Sequence, residues 1–415
     1  MEKITAVGID VSKGKSKVAA MRPGGEVVVS PYDVTHSADD LHRLASSLKL
    51  LDGEVRIVME HTGAYYLPVA NVLSQAGLSV SVVHAKLVHD FGNNSIRRGK
   101  TDKKDAVKIA NYALANWTSL LPFQKEKNIR QELKMLNRQL SLYNKYETAL
   151  KNSLIALLDQ AFPGANKLFP PMQKVNGHEK WVDFTARFWH RDCVASMSRR
   201  AFAESYRKWC KKTGSRWNED KANEIYEHAR AQVATIPKND TTKLMVTQAV
   251  TQLTSLLETV LIIQKEMDRL ASLLPEYETV LSMPGVGKIL GPQLIAEIGD
   301  VTRFHSKRAL TAFAGLDSPP YQSGQFESKE RKISKRGSPH LRRALFWIMT
   351  VLLMNQPEDD EVYQFICRKR AEGKHYYVYM TAASNKFLRR YYGKVRACFS
   401  LLNETGIIEV PQPAA

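Results

Sequence analysis

The sequence has few cysteines and no long apolar segment. Its four cysteines lie far apart and include no CxxC pair, so neither a zinc knuckle nor a disulfide framework is indicated. There is no apolar run of about 18 residues, no signal peptide and no acylation motif. These absences argue against a membrane anchor, and we expect a soluble, cytoplasmic protein.

Acidic residues are also in the minority. Lysines and arginines number 60 against 42 aspartates and glutamates, which gives a formal charge of +18. Such an excess favours a polyanionic partner, and nucleic acid is the first candidate. The length of 415 residues allows substantial cores and suggests two or three domains.

The N-terminal region has the pattern of a mixed sheet. The pattern predicts strands at 4–10, 17–21, 26–29, 55–60 and 79–83, and helices at about 37–50 and 66–76. Arg22-Pro-Gly-Gly has the chemistry of a hairpin between the second and third strands. Three strands followed by alternating helix and strand indicate an α/β domain in which helices flank a mixed sheet, as in ribonuclease-H-like folds.

Four acids fall at informative places in this layout. Asp10 ends the first strand, and Glu60 ends a later strand that we expect to lie beside it. Asp102 and Asp105 are three residues apart at the start of a helix, so both carboxylates can share one face. Hard oxygen ligands from separate elements are what Mg²⁺ or Mn²⁺ needs in two-metal phosphodiester chemistry. The four acids are therefore candidate metal ligands.

Each of these acids also has an ordinary explanation. An aspartate often ends a strand, and one in the first turn of a helix often complements the helix dipole. A Gly-Ile-Asp strand also opens sugar kinases of the actin fold. The basic charge and the Asp102/Asp105 pair favour a nuclease.

Two apolar stripes with helical spacing follow, at 125–160 and 246–274. They suit either an antiparallel coiled-coil stalk or an ordinary helical core. Residues 163–244 form an insertion between them, in which Trp181, Trp189, Trp209 and Trp217 alternate with nine arginines and lysines. These tryptophans can fill the core of a small helical subdomain or stack on the bases of structured RNA.

The C-terminal region has the features of a nucleic-acid contact. Met-Pro-Gly-Val-Gly between two predicted helices fits a helix-hairpin-helix, in which Gly285, Gly287 and Lys288 can hold a phosphate. Residues 329–343 carry seven cations and one acid, which favours a phosphate track over a merely solvated face. The candidate contacts in this track are Arg331, Lys332, Lys335, Arg336, Arg342 and Arg343. Ser323 lies beside Gly324 in a predicted loop, but a lone serine does not establish a nucleophile.

Seven stretches in this order resemble the DEDD transposases of insertion-sequence family one-ten. They are Gly-Ile-Asp-Val-Ser-Lys, Met-Glu-His-Thr-Gly, Lys-Thr-Asp-Lys-Lys-Asp-Ala, Met-Pro-Gly-Val-Gly, Phe-Ala-Gly-Leu, Tyr-Gln-Ser-Gly and Ser-Lys-Arg-Gly. The resemblance extends from the N-terminus to about residue 400, and the insertion at 163–244 is the main departure from compact members.

The resemblance implies a fold and a domain order. It implies a RuvC-like DEDD domain at 1–122, a coiled-coil region at 123–275, a mostly helical C-terminal transposase domain at 276–402, and a tail at 403–415.

It also implies a chemistry. Asp10, Glu60, Asp102 and Asp105 would bind Mg²⁺ or Mn²⁺, and Ser323 would join covalently to a DNA end. The expected partners are donor and target DNA, a structured noncoding bridge RNA that guides the protein, and further copies of the chain in a dimer or tetramer. We expect the protein to be associated with the nucleoid. The alternatives are a metal-dependent junction nuclease that uses water, and a nucleic-acid-binding protein without catalysis.

Overall fold

The computed structural model describes residues 3–61, 63–91, 102–123, 128–170, 177–318, 322–323, 326–327 and 332–404. The chain forms two compact units, residues 1–126 and residues 127–415.

The first unit is built on a five-stranded sheet. Its strands are β1 (Ile4–Ser12), β2 (Lys15–Arg22), β3 (Glu26–Thr35), β4 (Glu54–Glu60) and β5 (Ser79–Val83). The strand order is β3-β2-β1-β4-β5, in which β1, β2 and β3 pair antiparallel, and β4 pairs parallel with both β1 and β5. The predicted mixed sheet is therefore confirmed, as is the hairpin that joins β2 to β3.

Helices cover both faces of this sheet. They are α1 (Ala38–Lys49), α2 (Tyr66–Gln75), α3 (Ala85–Phe91) and α4 (Asp102–Ala115). Ser37 caps α1 by accepting a hydrogen bond from the Asp40 N–H, as expected of a serine at that position. Alternate residues of β1 point to opposite faces: Val7 and Ile9 join a core with α1 and α2, and Ala6 joins a second core with α3 and α4.

The second unit is largely helical. Its helices are α5 (Asn128–Ala161), α6 (Lys180–Arg187), α7 (Asp192–Ala195), α8 (Arg199–Lys212), α9 (Glu219–Ala231), α10 (Asp240–Ala271), α11 (Tyr277–Leu281), α12 (Leu290–Ile298), α13 (Lys307–Phe313), α14 (Pro339–Asn355), α15 (Glu361–Ala371) and α16 (Tyr376–Glu404). A two-stranded hairpin of β6 (Gln322–Ser323) and β7 (Phe326–Glu327) lies between α13 and α14.

The long helices α5 and α10 pack together in antiparallel directions. Leu133 near the start of α5 and Met267 near the end of α10 lie in one hydrophobic core with the C-terminal helices. Leu154 near the end of α5 and Val250 near the start of α10 lie in a second core with the insertion. The two apolar stripes are thus buried, and each end of the helix pair is part of a separate core.

The insertion at 163–244 is a small helical subdomain with an aromatic core. Trp181, Trp189 and Trp209 are buried in this core, so for these three residues the structural interpretation is confirmed. Trp217 is only partly buried against it.

Among the described helices, α10 alone is long and apolar enough to satisfy a membrane-span test, with a mean hydropathy of 1.4 over 18 residues. Threonine, serine and glutamine interrupt this window, which is why no continuous apolar run is visible in the sequence. Because its apolar stripe is buried against α5, we interpret α10 as a core helix.

Candidate functional site

Two of the predicted acidic residues lie on neighbouring strands, on the same face of the sheet. Glu60 ends β4 as predicted, but Asp10 does not end β1, because the pairing of β1 with β2 continues to Ser12. Ile9 of β1 is in register with Met59 of β4, so Asp10 and Glu60 occupy the next positions of two parallel strands. Strand alternation points both side chains to the α4 side, the side of Ala6 and Val58. The prediction that Glu60 lies on a strand beside Asp10 is confirmed.

A glycine brings α4 close to this edge of the sheet. A Cβ added to Gly8 would lie 2.1 Å from the carbonyl oxygen of Ala106 and 2.4 Å from the backbone nitrogen of Ala110. Only a residue without a side chain permits this approach. Asp105, which directly precedes Ala106, is thereby held near the part of β1 where Asp10 lies.

The carboxylates of these three acids interact. The pKa of Glu60 is raised above its ordinary value, chiefly by burial and then by the negative charge of Asp10, with a further contribution from Asp105. Lys108 and His89 oppose this rise through their positive charge. The site is therefore a partly buried group of like charges with a cation at its edge.

Lys108 and His89 were not identified from the sequence. Lys108 follows Asp105 by three residues on α4, a spacing that puts the two side chains on one helix face and could have revealed it. Its ammonium group also lies 3.5 Å from the backbone carbonyl of His89 in α3. No sequence signal marks His89, since it reaches the site only through the packing of α3 on α4.

Asp102 is the first residue of α4, as predicted, but its side chain lies outside the described part of the structure. Among the side chains that are described, no group of three or more His, Cys, Asp or Glu residues is already arranged as a metal shell. The three described carboxylates thus influence one another without converging on one point.

The chemistry of this donor set nevertheless fits a divalent cation. Carboxylate oxygens are the ligands that Mg²⁺ and Mn²⁺ prefer, and they come here from two strands and one helix. Burial and then the charges of Asp10 and Asp105 raise the pKa of Glu60, and a bound cation would relieve the repulsion between these carboxylates. Asp10, Glu60 and Asp105, with Asp102, are the residues that would hold it.

Ser323 belongs to the second unit. Its backbone lies in β6, where it pairs with Phe326 of β7, whereas its side chain lies outside the described residues. Two glycine-containing segments, 313–317 and 334–338, flank this hairpin in the chain.

The two segments bind each other through their backbones. The N–H of Lys335 donates to the carbonyl of Gly315 at 3.1 Å, and the N–H of Ser338 donates to the carbonyl of Phe313 at 2.8 Å. A Cβ on Gly337 would lie only 2.2 Å from the carbonyl oxygen of Phe313. We call these two paired segments, residues 313–317 and 334–338, the loop clamp, because they close the base of the loop that carries Ser323.

Arg342 completes the loop clamp. Its Nη1 donates to the carbonyl of Ala314 at 2.9 Å and to that of Gly337 at 3.1 Å. Burial lowers the pKa of this guanidinium below its ordinary value. The sequence predicted Arg342 as a phosphate contact, and its two backbone partners give it a structural role that charge density alone did not reveal.

The other predicted basic contacts are exposed. Lys332, Lys335 and Arg336 lie along the segment before α14, and Arg343 lies on α14. Within the described part of the chain none of these four side chains forms an ion pair, so their charges are available to an anionic partner. Arg331 lies outside the described residues.

The predicted helix-hairpin-helix corresponds to α11, a turn and α12. Gly285 has a φ of 78°, and its added Cβ would lie 2.9 Å from Cγ of Leu352 on α14, so this glycine serves packing as well as the turn. Gly287 and Lys288 are exposed in the turn that precedes α12, with open space around the glycine. These two residues are the accessible part of the predicted phosphate site.

Two family models match this chain. One is a DEDD transposase model named for IS110, described as "Transposase", and it matches residues 7–163. The other is described as "Transposase IS116/IS110/IS902 family" and matches residues 277–364. Together the two matches span more than half of the chain.

Curated relatives agree with these matches. The chain is 22% identical to an uncharacterized 43.6 kDa protein of insertion element IS110 from Streptomyces coelicolor, over 98% of this chain and 96% of that protein. It is 31% identical to the pilin gene-inverting protein of Moraxella bovis, over 32% of this chain and 38% of that protein. It is 37% identical to the transposase for insertion sequence element IS1111A of Coxiella burnetii, over 20% of this chain and 22% of that protein.

Solved structures similar to part of the chain include RuvC of Thermus thermophilus. This match has a TM-score of 0.23 and 14% sequence identity, and covers 29% of this chain and 99% of RuvC.

Proposed function

Because the chain belongs to the IS110 family of transposases, which are DNA phosphoryl-transfer enzymes, we propose that it is an RNA-guided recombinase that cuts and rejoins DNA through a serine-linked intermediate. The observation that carries the catalytic part is the grouping of Asp10, Glu60 and Asp105 at one edge of the sheet. The name of one partial relative, a pilin gene-inverting protein, supports recombination rather than simple cleavage.

The acidic site prepares the scissile phosphate. Asp10, Glu60 and Asp105, with Asp102, would hold a divalent cation, which would supply Lewis-acid polarisation of the scissile phosphate and activation of the attacking oxygen. The chain itself keeps Asp10, Glu60 and Asp105 partly buried between β1, β4 and α4. Lys108 balances part of their charge before the cation binds.

Ser323 is the proposed nucleophile. Its hydroxyl loses a proton as the Oγ–P bond forms, the P–O bond to the leaving strand breaks, and the leaving oxygen takes up a proton. The phosphoserine link conserves the energy of the phosphodiester for rejoining, which a hydrolytic reaction would lose. The loop clamp, through Gly315, Gly337 and Arg342, fixes the base of the loop from which this serine reacts.

Donor and target DNA and a structured guide RNA are the proposed partners. Phosphates are contacted, without reading of bases, by the exposed cations Lys332, Lys335, Arg336 and Arg343 and by the turn before α12 at Gly287 and Lys288. Base pairing with the RNA then supplies the choice of sequence. Because the acids and the serine belong to different units of the chain, we propose a dimer or tetramer in which one protomer's acids act with another's serine.

Two substitutions test this function. Ser323→Ala should abolish the covalent protein–DNA species that survives denaturation, and Asp10→Asn should abolish all strand cleavage, with thermal melting as a control for folding. Cleavage that persists in Ser323→Ala would instead indicate a nuclease that uses water. RNA that co-purifies with the protein should be a defined noncoding species, and a random RNA population would contradict the guided mechanism.

A further inference from the structure

The insertion subdomain contains an open cavity that the proposed chemistry does not use. Its volume is about 610 Å³, and it lies between α8 and the segment that precedes α9. Its lining includes Glu204, Arg207, Lys208, Lys211, Ser215 and Trp217.

Three exposed cations line this cavity. Arg207, Lys208 and Lys211 are exposed, and within the described residues none of them forms an ion pair. Two other arginines of α8 behave differently, since Arg199 pairs with Glu227 and Arg200 with Glu204. Four cations of α8 have no ion pair among the described residues; three of them line the cavity, and Lys212 does not.

An aromatic ring accompanies these cations. Trp217 is only partly buried, whereas Trp181, Trp189 and Trp209 of the same subdomain are buried. The ring of Trp217 lies 5.7 Å from that of buried Tyr206, which supports it from the core side. Trp217 therefore offers the cavity a ring that is held in place by the core.

We propose that this cavity binds an unpaired nucleotide of RNA, an inference that rests on the proposed RNA-guided function. Arg207, Lys208 and Lys211 hold the phosphates on either side of the nucleotide, and its base stacks on Trp217. Pockets of about 300–1,000 Å³ accommodate ligands of this size. The bases of a duplex stay stacked inside the helix, so only a looped or bulged nucleotide can enter.

Two lining groups favour RNA over DNA. The Glu204 carboxylate repels phosphate but accepts a hydrogen bond from a ribose 2′-hydroxyl, and the Ser215 hydroxyl lies in the same cavity. DNA lacks that hydroxyl, and the 2′-hydroxyl is the group by which proteins distinguish the two nucleic acids.

The first test measures binding by the full-length protein to a stem–loop RNA. The variant Arg207→Gln/Lys208→Gln/Lys211→Gln should bind this RNA about 10-fold more weakly or worse, and the slope of log affinity against log salt should fall by about 2. The matched control is Lys167→Gln/Arg187→Gln/Lys243→Gln, which removes three exposed cations of the same subdomain that do not line the cavity. Equal losses of RNA affinity in the two variants would mean that binding depends on the overall positive charge of the subdomain rather than on the cavity, and would overturn the proposal.

The second test places 2-aminopurine in the RNA loop and follows its fluorescence. Stacking on Trp217 should quench the probe. Trp217→Leu should relieve the quenching and weaken binding about 5- to 100-fold, whereas Trp217→Phe should retain most of the quenching and most of the affinity. Thermal melting establishes that each variant is folded. A quench that is unchanged in Trp217→Leu, or equal affinity for the DNA stem–loop of the same sequence, would contradict the RNA assignment.

These measurements test the cavity assignment and the RNA-guided mechanism independently. If recombination proves independent of RNA while the probe is still quenched at Trp217, the proposed function fails and the cavity assignment stands. If recombination requires RNA but the cavity variant binds the probe like the control variant, the cavity assignment alone fails.

Discussion

Gly8 of β1 and Ala106 of α4 are in backbone contact, and a single added methyl group at Gly8 would lie 2.1 Å from the Ala106 carbonyl oxygen. This distance is far below any van der Waals contact and involves backbone atoms, which cannot rotate away. The position of α4, and with it Asp105, therefore depends on the absence of a side chain two residues before Asp10.

Gly8→Ala should accordingly displace α4 from the sheet. We expect a loss of about 1–3 kcal/mol in the free energy of unfolding from overpacking, and a fall in strand-transfer rate of about 100-fold because Asp105 moves by the order of 1 Å. Urea denaturation and a DNA-cleavage assay measure the two effects. Gly393→Ala is the control, since Gly393 lies in α16 with open space around it; equal effects of the two substitutions would contradict this role of Gly8.

Because the pKa of Glu60 is raised, the stability of the metal-free protein should depend on pH in a defined direction. Burial and the charge of Asp10 make the folded state hold this proton more tightly than the unfolded chain. The stabilising contribution is therefore complete below the ordinary value of 4.5 and is lost as pH rises through the raised value.

The melting temperature of metal-free protein should thus fall across the pH range just above 4.5, and Glu60→Gln should flatten that fall. Solvent screening limits the effect to about 2 °C. Mg²⁺ should raise the melting temperature at neutral pH in the parent protein and less in Glu60→Gln. Asp39→Asn, which removes an exposed carboxylate of α1, should leave the pH dependence of the melting temperature unchanged. If Asp39→Asn also flattened this dependence, the fall would be due to the overall charge of the protein and not to Glu60.

The sequence was sufficient to predict most of the first unit. Local patterns specify β1 to β5, and Asp10 and Glu60 each follow an apolar stretch of β1 and β4, so their proximity follows once parallel pairing of these two strands is assumed. The sequence did not show that β1 continues past Asp10 to Ser12. The approach of α4 through Gly8 was not predicted, because a glycine in a strand gives no information about which helix will cross it. His89 was missed for the same reason, since its contribution depends on tertiary packing alone.

In the second unit, the density of charged residues did not predict the role of each individual residue, whereas strand patterns predicted most of the first unit. A run of arginines and lysines predicts phosphate contacts equally at every position, yet Arg342 has two backbone carbonyls as partners and Arg343 has an exposed side chain. The insertion showed the same ambiguity, since tryptophans spaced among cations can be core or binding residues. Burial separates Trp217 from the other three, and burial depends on contacts that sequence spacing does not specify.

Arg342→Lys should distinguish the loop clamp from a phosphate contact. Lysine keeps the charge but cannot hold the carbonyls of Ala314 and Gly337 together, so we expect a loss of about 1–3 kcal/mol in stability and fewer covalent Ser323–DNA complexes. DNA affinity at low salt should remain within about 2-fold, because the charge is retained. Arg343→Lys is the matched neighbour and should change neither quantity; unchanged covalent complex in Arg342→Lys would mean that its role is the charge alone.

Removal of one member of the buried ion pair between Arg130 and Glu276 should strongly destabilise the protein. Arg130 of α5 binds the Glu276 carboxylate and donates to the carbonyl of Gly299 at 3.2 Å, and both side chains are almost fully buried. Arg130→Met or Glu276→Met alone should therefore destabilise the protein by about 3–5 kcal/mol, since each leaves an uncompensated buried charge. The double variant should be less destabilised than the sum of the two, because neither charge then remains. Urea denaturation of all four proteins measures this coupling, and additive losses would mean that the two groups stabilise the fold independently, through α5 and the α11 region separately.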